Sequence, residues 1–578
     1  CCPACGPALR CVDSAGAGLG AAGDPLAAAV AALRAGAVVA VKGLGGYHLA
    51  ALAHDETAVG ALRARKHRED KPFAVLAADL QAAGELVEVD QAAAVELTSR
   101  RAPIVLLPRR PGAPVAPSVA PGNRYLGVLL PYTGLHHLLA AELAEPIVLT
   151  SGNVSDEPIA YRDEEAARRL APIADAMLGH NRAIHIRADD SVIRMVGGRA
   201  LPIRRSRGYA PEPVPLATPA ARPVLGCGAE LKSTFCLALG GRAFLSHHIG
   251  DLENAETLRS FTEGVAHYRR LFDITPELVA HDLHPEYLST KYALELPDVR
   301  LLGVQHHHAH LASCLADNGE AGPVVGLACD GLGYGIDGSL WGGEVMEVSL
   351  SGFRRLGHLE PVQMPGGTSA IRQPWRMAVA WLRAAYPDAG PGELFDLELA
   401  RRHGDRWTLV ERLLASALDT PVTTSVGRLF DAVSALVGIR DEVNYEGQAA
   451  VELEQAADPS VPDGYPMGRD DGVLRGTDLV RGVVADLRLG VRAGVIAARF
   501  HNGLAGGLVE AAVAACGQTG LDTVALSGGV FQNVTLLRRV RALLTRADLR
   551  VLTHSRVPPN DAGISFGQVA VAAAVDQP

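Results

Sequence analysis

Short apolar runs, each closing in a turn that carries glycine or aspartate, alternate with helical stretches along most of this chain. That alternation restricts it to an α/β architecture. Residues 37–41 run into Gly43-Leu44-Gly45-Gly46, and further apolar runs lie at 73–76, 104–107, 147–149, 224–228, 324–329 and 524–526. Asp24-Pro25 marks a helix start, a cap residue followed by proline at the first helical position, and residues 56–66 read as another helix. With 578 residues the chain exceeds one hydrophobic core and should form about three or four domains or lobes. The first α/β region is expected to end near Pro215, and the Pro- and Ala-rich residues 211–223 read as an interdomain linker. Beyond it, strand–turn units far apart in sequence predict a two-lobed domain with a ligand between its lobes.

Charge narrows the function classes. The 54 Lys and Arg against 64 Asp and Glu leave a net charge of −10, which disfavours a protein that lives on phosphate-backbone contacts, so no nucleic-acid partner is expected. The longest apolar stretches are interrupted, by Lys42 and His48 or by Pro131, His136 and His137, so no membrane span and no membrane partner are expected. With no secretory leader visible, the expected location is the cytoplasm. Among nine cysteines, Cys2 and Cys5 have the CxxC spacing of a zinc knuckle. A structural zinc needs four ligands and no second CxxC follows, so the opening reads as the last half of a zinc site; an unpaired reduced CxxC is the alternative.

Two clusters in the first α/β region carry chemistry. Arg63-Ala64-Arg65-Lys66-His67-Arg68-Glu69-Asp70-Lys71-Pro72 gathers basic groups before a strand, where they could hold triphosphate or carbamate-like anions; a solvated helix end fits the pattern as well. Leu149-Thr150-Ser151-Gly152-Asn153-Val154-Ser155 offers hydroxyls, an amide and backbone N–H groups at a strand end, suited to phosphate or a small acyl group, or simply to a polar turn. A third stretch, Ile186 to Val192 with Asp189 and Asp190, is a weaker candidate.

The second half is richer. In Gln305-His306-His307-His308-Ala309-His310, helical spacing puts His306 and His310 one turn apart on one face, a geometry suited to holding a metal. Asp330 follows an apolar run and precedes Gly331 and Gly333, and Asp561 sits in a turn before the last helix. Ser527-Gly528-Gly529 leads from a strand to a helix start, where a nucleotide phosphate could dock.

Taken together, Lys66-x-Arg68 with Lys71-Pro72 and the later Ser151-x-Asn153 resemble the KxR and SxN signatures of the YrdC/TsaC family, over roughly residues 25–213. Two departures from that family are the spacing from Arg68 to Lys71 and the Lys42–Gly46 segment. The ordered set His306-x-x-x-His310, Asp330-Gly331-x-Gly333, Gly427 to Asp431, Tyr445-Glu446-Gly447, Ser527-Gly528-Gly529-x-x-x-Asn533 and Asn560 to Gly563 resembles the TsaD/Kae family of the actin–Hsp70–sugar kinase superfamily. That resemblance implies a divalent metal (zinc, iron, manganese or magnesium) on His306, His310, Asp330 and Asp561. It also implies nucleotide contacts from Gly331, Gly333, Asp431, Gly528, Gly529 and Asn533, with Glu446 in the same cleft.

The two together, after Cys-Pro-x-Cys-Gly-Pro, are similar to the HypF family of hydrogenase-maturation carbamoyltransferases across essentially the whole chain. The fold implied is a remnant zinc region and linker at 1–22, a YrdC-like α/β domain at 23–213, and a two-lobed Kae-like domain at 222–578. The acylphosphatase-like domain that opens such proteins, and most of the zinc region, are expected to be missing. The activity implied is ATP-dependent. Lys66, Arg68, Ser151 and Asn153, with Lys71 and Thr150, would form carbamoyl-adenylate from carbamate, itself derived from carbamoyl phosphate. The Kae-like site would pass the carbamoyl group to the C-terminal cysteine of the partner HypE. Two competing functions use the same folds: a tRNA threonylcarbamoyl-transfer fusion, against which the acidic balance speaks, and a small-molecule O-carbamoyltransferase, in which the Kae-like part tends to come first. A nucleotide-binding assembly scaffold would keep the clefts without the chemistry.

Overall fold

The computed structural model describes residues 6–19, 24–154, 157–389, 394, 396–416 and 418–577. Cys2 and Cys5, the expected zinc pair, and Ser155 lie outside the described residues. The chain divides into two compact units, Cys1–Glu212 with Ser246–Val265, and Pro213–Leu245 with Ala266–Pro578.

The first unit holds one ten-stranded mixed sheet. Its strands are β1 (Leu9–Asp13), β2 (Val39–Lys42), β3 (Tyr47–Leu52), β4 (Ala74–Leu76), β5 (Ile104–Pro108), β6 (Tyr125–Leu129), β7 (Ile147–Ser151), β8 (Ala176–His180), β9 (Val192–Val196) and β10 (Arg199–Arg204), in the order β1-β8-β2-β3-β7-β4-β6-β5-β9-β10. Alternation divides its core in two. Leu49 and Ala51 pack with Leu62, while Ala50 and Leu52 pack with Leu139 and Leu143 on the other face. The first helix, Pro25–Arg34, starts where Asp24-Pro25 predicts: Leu26 and Ala27 N–H donate to the Asp24 carboxylate (2.9 and 3.2 Å). The helix Glu56–Lys66 is capped in the same way by Asp55 and ends at His67, which adopts a left-handed φ of 53°.

In the second unit, β11 (Val214–Gly226), β12 (Cys236–Leu245), β13 (Leu278–Asp282) and β14 (Arg300–Val304) form a four-stranded sheet in the order β12-β11-β13-β14. A larger sheet follows the path β20-β21-β17-β16-β15-β22-β23. Its members are β15 (Val324–Tyr334), β16 (Leu340–Ser349), β17 (Gly352–Leu359), β20 (Arg469–Asp470), β21 (Val473–Leu474), β22 (Thr523–Ser527) and β23 (Arg550–Leu552), with the short β18 (Val362–Gln363) and β19 (Val422–Thr423) alongside. Two helices, His306–Asp317 and Ile564–Val575, pack on each other with β15, β16 and β22 against the first and β11, β12 and β13 against the second. Their backbones touch at Gly567, where a Cβ would lie 1.8 Å from the Ala309 carbonyl oxygen.

Two expectations need correcting. The Pro- and Ala-rich residues 211–223 are no linker, since most of them belong to β11. Proline cannot donate to a ladder, and the pairing of β11 with β12 shifts register between Pro215 and Ala220 and again between Ala220 and Val224, so Pro219 and Pro223 fall where the ladder is interrupted. Nor does β15 end before Asp330. It runs on to Tyr334, with a register shift between Cys329 and Gly333 that takes Asp330, Gly331 and Leu332 out of the pairing with β16.

Candidate functional site

The basic cluster of the first unit is ordered from beneath by a residue the sequence reading did not single out. Arg63, buried, stacks over the Phe73 ring (4.4 Å) and donates from Nη1 to the carbonyls of Arg68, Glu69 and Lys71 (2.9, 3.1 and 3.2 Å). That arginine fixes the loop carrying Arg68, whose own Nη2 donates to the Pro72 carbonyl (2.6 Å). Lys66 is 1% exposed, and its ammonium donates to the carbonyls of Ser151 and Asn153 (2.8 and 2.6 Å) and to Asn153 Oδ1 (2.6 Å). Ser151 Oγ donates to the same Oδ1 (2.7 Å). Lys66, Ser151 and Asn153 are thus one nest, assembled from the end of a helix and the end of β7. Thr150 is buried one residue earlier, where strand alternation turns it to the opposite face from Ser151, and Lys71 is exposed.

In the second unit, His306 and His310 project from the first turns of their helix, whose cap is Gln305 accepting from His308 N–H (2.9 Å). Opposite them stand Asp330, from the unpaired stretch of β15, and Asp561, from the turn Asp561–Gly563 that enters the last helix. Asp330 Oδ2 lies 3.4 Å from His306 Nε2 and 3.3 Å from His310 Nε2, and Asp561 Oδ1 lies 4.0 and 3.6 Å from the same nitrogens. One donor atom from each of the four falls within 4.8 Å of the others. The set fits a divalent cation on two counts. Among the described residues both Nε2 atoms are buried without a hydrogen-bond partner, and three carboxylates converge on two imidazoles. Burial disfavours charge on His306, yet Asp282, Asp330 and Asp561 outweigh it and draw the imidazole well above its usual range.

Surrounding groups aim these ligands. Gly529 N–H donates to Asp330 Oδ1 (2.8 Å), leaving Oδ2 for the histidines. Ser527 Oγ donates to the His310 carbonyl (2.8 Å) and sits 2.8 Å from His554 Nε2. Asp282 Oδ2 accepts from His306 Nδ1 (2.8 Å), which fixes a proton on Nδ1 and leaves Nε2 as the atom that faces the quartet, able to bind a cation once its own proton is displaced. Asp282 escaped the sequence reading, although it too is an aspartate ending an apolar strand, as a search for strand-end carboxylates would have found. His308 points away from the quartet, its Nε2 2.9 Å from the Ser349 carbonyl oxygen.

The remaining residues expected here are placed variously. Gly333 is where the histidine helix rests on β15, since a Cβ there would lie 2.5 Å from the rings of both His306 and His307. Gly331 opens on free space, and a Cβ at Gly528 would meet the Cys329 carbonyl oxygen at 2.2 Å. Asp431 is buried beside Arg428 (2.9 Å); burial raises its carboxyl to about 6 despite that partner. Asn533 is engaged structurally: its Oδ1 accepts from Leu536 N–H (2.9 Å) and its Nδ2 donates to His501 Nε2 (2.9 Å). Glu446 pairs with Lys232.

One chain thus joins a mixed-sheet unit bearing a Lys–Ser–Asn nest to a two-sheet unit bearing a His2Asp2 quartet. Comparison with known proteins gives the chemistry. Residues 31–206 match the family model described as telomere recombination, which covers the Sua5, YciO and YrdC proteins. Residues 219–317 match the HypF Kae1-like domain, and 326–568 the second subdomain of the carbamoyltransferase Kae1-like domain. Carbamoyltransferase HypF2 of Cupriavidus necator is 43% identical over 95% of this chain and 73% of its own length, and carbamoyltransferase HypF of Synechocystis is 38% identical with the same coverage. Full-length HypF, solved in a phosphate- and nucleotide-bound form, superposes with a TM-score of 0.94 at 39% identity, covering 100% of this chain and 75% of that one. HypF of T. kodakarensis gives 0.91 at 34%, covering 99% and 76%.

The chain belongs to the HypF carbamoyltransferase family and is a carbamoyltransferase, with a YrdC-like α/β domain and a Kae-like domain. Among the described residues no helix is long and apolar enough to cross a membrane.

Proposed function

We propose that this carbamoyltransferase works in two steps for cyanide-ligand synthesis in [NiFe] hydrogenase maturation, in the cytoplasm. At residues 23–213 a carbamate oxygen attacks the α-phosphorus of ATP; the α–β P–O bond breaks, pyrophosphate leaves, and carbamoyl-adenylate forms. At residues 222–578 the thiolate of HypE's C-terminal cysteine attacks the carbamoyl carbon, and AMP departs with the electrons of the broken C–O bond. The observation that carries this reading is the presence, in one chain, of the Lys66–Ser151–Asn153 nest and the His306–His310–Asp330–Asp561 quartet.

In the first step Lys66 and Arg68 supply the positive charge that a triphosphate and a carbamate need, while Ser151 and Asn153 supply directed polar groups. In the second, His306, His310, Asp330 and Asp561 would hold a divalent cation, which when bound neutralises phosphate charge and positions the nucleotide. Asp330 is presented by Gly529 N–H, and the open space at Gly331 leaves room for close approach of a ligand. The acceptor thiol comes from another protein. Every described cysteine is buried, and burial pushes the Cys227, Cys314 and Cys329 thiols far above their usual range, away from the nucleophilic thiolate. Cys2 and Cys5 would contribute two ligands of a zinc site.

Carbamate supplied directly removes any need for carbamoyl phosphate cleavage. With ATP, carbamate and purified HypE, pyrophosphate should be released and mass spectrometry should find a carbamoyl adduct on the HypE C-terminal cysteine. Absence of carbamate-dependent pyrophosphate release would sink the reading.

A further inference from the structure

The turn that leaves β13 brings His284 and Tyr287 beside the His306–His310–Asp330–Asp561 quartet. Asp282 ties it there, with Oδ2 accepting from His306 Nδ1 (2.8 Å) and Oδ1 from His284 N–H (2.9 Å). The His284 and Tyr287 rings stack, their centroids 4.1 Å apart and their planes 7° from parallel. The Tyr334 ring stands edge-on to His284 at 5.3 Å. Tyr334 ends β15, and its carbonyl accepts from Nε2 of Gln305 (3.0 Å), the cap of the histidine helix. The three rings are thus tied to the histidine helix and to β15, the elements that carry three of the four quartet members, and form a wall of the site.

On this wall the Tyr287 hydroxyl and His284 Nε2 have no hydrogen-bond partner among the described residues. Neither atom is enclosed, since both side chains are partly exposed and neither atom is among the buried unpaired ones. Both are donors. Glu286 N–H donates to His284 Nδ1 (3.2 Å), so the neutral imidazole, which burial favours, carries its hydrogen on Nε2. Burial, with Asp282, Asp561, Glu230 and Asp330 adding to it, holds the Tyr287 phenol well above its usual range, so it keeps its proton. Those carboxylates also put Tyr287 within electrostatic reach of the quartet.

Carbamoyl transfer needs donors at this place. The thiolate forms a bond to the carbamoyl carbon and the C=O π electrons move onto the oxygen; when the double bond re-forms, AMP leaves with the electrons of the broken C–O bond. A single oxygen separates the carbamoyl carbon from the adenylate phosphorus, so a cation on the quartet that holds the phosphate keeps the reacting carbon beside the wall. Asp282, Asp330 and Asp561 oppose the negative charge that grows on the carbamoyl oxygen, and uncharged O–H and N–H groups aimed at it offset that opposition. We propose that the Tyr287 hydroxyl, with His284 Nε2–H beside it, donates to the carbamoyl oxygen as its charge develops. This rests on the transfer reading above.

The test uses the full chain, preincubated with ATP and carbamate, to which purified HypE is added last; carbamoylation is followed by mass spectrometry in a single turnover. Tyr287→Phe keeps the ring stack and removes only the hydroxyl. Its transfer rate at saturating HypE should fall about a hundredfold, with the half-saturating HypE concentration within about twofold of wild type. Zinc affinity by chelator competition and carbamate-dependent pyrophosphate exchange should both stay within about twofold. His284→Phe, a second variant that retains an aromatic ring without the Nε2–H, should slow transfer about tenfold with the same pattern. Transfer by Tyr287→Phe at the wild-type rate overturns the proposal. So does a slower transfer matched by an equal loss of zinc affinity, since Tyr287 would then support the metal site and not the reacting group. Wild-type protein that exchanges pyrophosphate but carbamoylates no HypE would instead bring down the transfer reading beneath it.

Discussion

Asp282→Asn probes the quartet through a residue that does not belong to it. The carboxylate is fully buried and serves two donors, with Oδ2 accepting from His306 Nδ1 at 2.8 Å and Oδ1 accepting from His284 N–H at 2.9 Å. Asparagine has one acceptor oxygen for those two donors. If it faces His284, its NH2 confronts His306 Nδ1 and drives the imidazole proton to Nε2, the atom that must bind metal. If it faces His306, the NH2 group clashes with the His284 amide. Either way the imidazole loses an anionic partner that holds its tautomer. Loss of such outer carboxylates weakens metal binding by about 10–100-fold, which corresponds to roughly 1.4–2.8 kcal/mol. Chelator competition on wild-type and variant protein, with circular dichroism to verify folding, reads that ratio directly. Carbamate-dependent pyrophosphate exchange at the other site should be unaffected. A correctly folded variant that binds metal within about twofold of wild type would refute the argument that Asp282 orients His306.

Other substitutions test other parts of the account. Lys66→Met leaves the Ser151 and Asn153 acceptors without their ammonium donor; at about 1–3 kcal/mol per unsatisfied buried group, it should lower pyrophosphate exchange by about a hundredfold or more and shift the urea midpoint downward, while metal binding stays intact. Gly333→Ala drives a methyl into the His306 and His307 rings and should cost about 1–3 kcal/mol by urea unfolding and loosen metal binding, whereas Gly331→Ala, facing open space, should be near neutral in stability. His136 predicts an acid sensitivity. Burial brings its folded value to about 3, below the 6.5 usual for histidine, so the unfolded chain takes up the proton first. The stability this confers is fully present above pH 6.5 and is lost as pH falls toward 3, with about 3 kcal/mol gone by pH ~4.5. Urea unfolding of wild type and His136→Phe across that range should show the variant losing less.

Much of this was legible because local chemistry dictated it. The Asp24-Pro25 start and the helix Glu56–Lys66 follow from capping and composition, and all four quartet members sit beside glycine-bearing turns or on one helical face. What failed depended on partners distant in sequence. Proline spacing read as a linker because nothing local reveals that β12 supplies a ladder with interruptions at the right places. Arg63 looked like one more basic residue in a run; only the fold of residues 68–71 around it shows its structural use. The same holds for Asp190 and His48, 142 positions apart in the chain, whose meeting converts two unremarkable residues into a cluster.

The central claim is that one chain houses two separable stations, and His310→Ala tests it most directly. With ATP, carbamate and HypE, the variant should still form carbamoyl-adenylate, seen as carbamate-dependent pyrophosphate exchange close to the wild-type rate. Carbamoylation of the HypE cysteine should fall by orders of magnitude. Loss of both steps together, in a protein that remains folded, would contradict the division of labour; so would transfer at the wild-type rate.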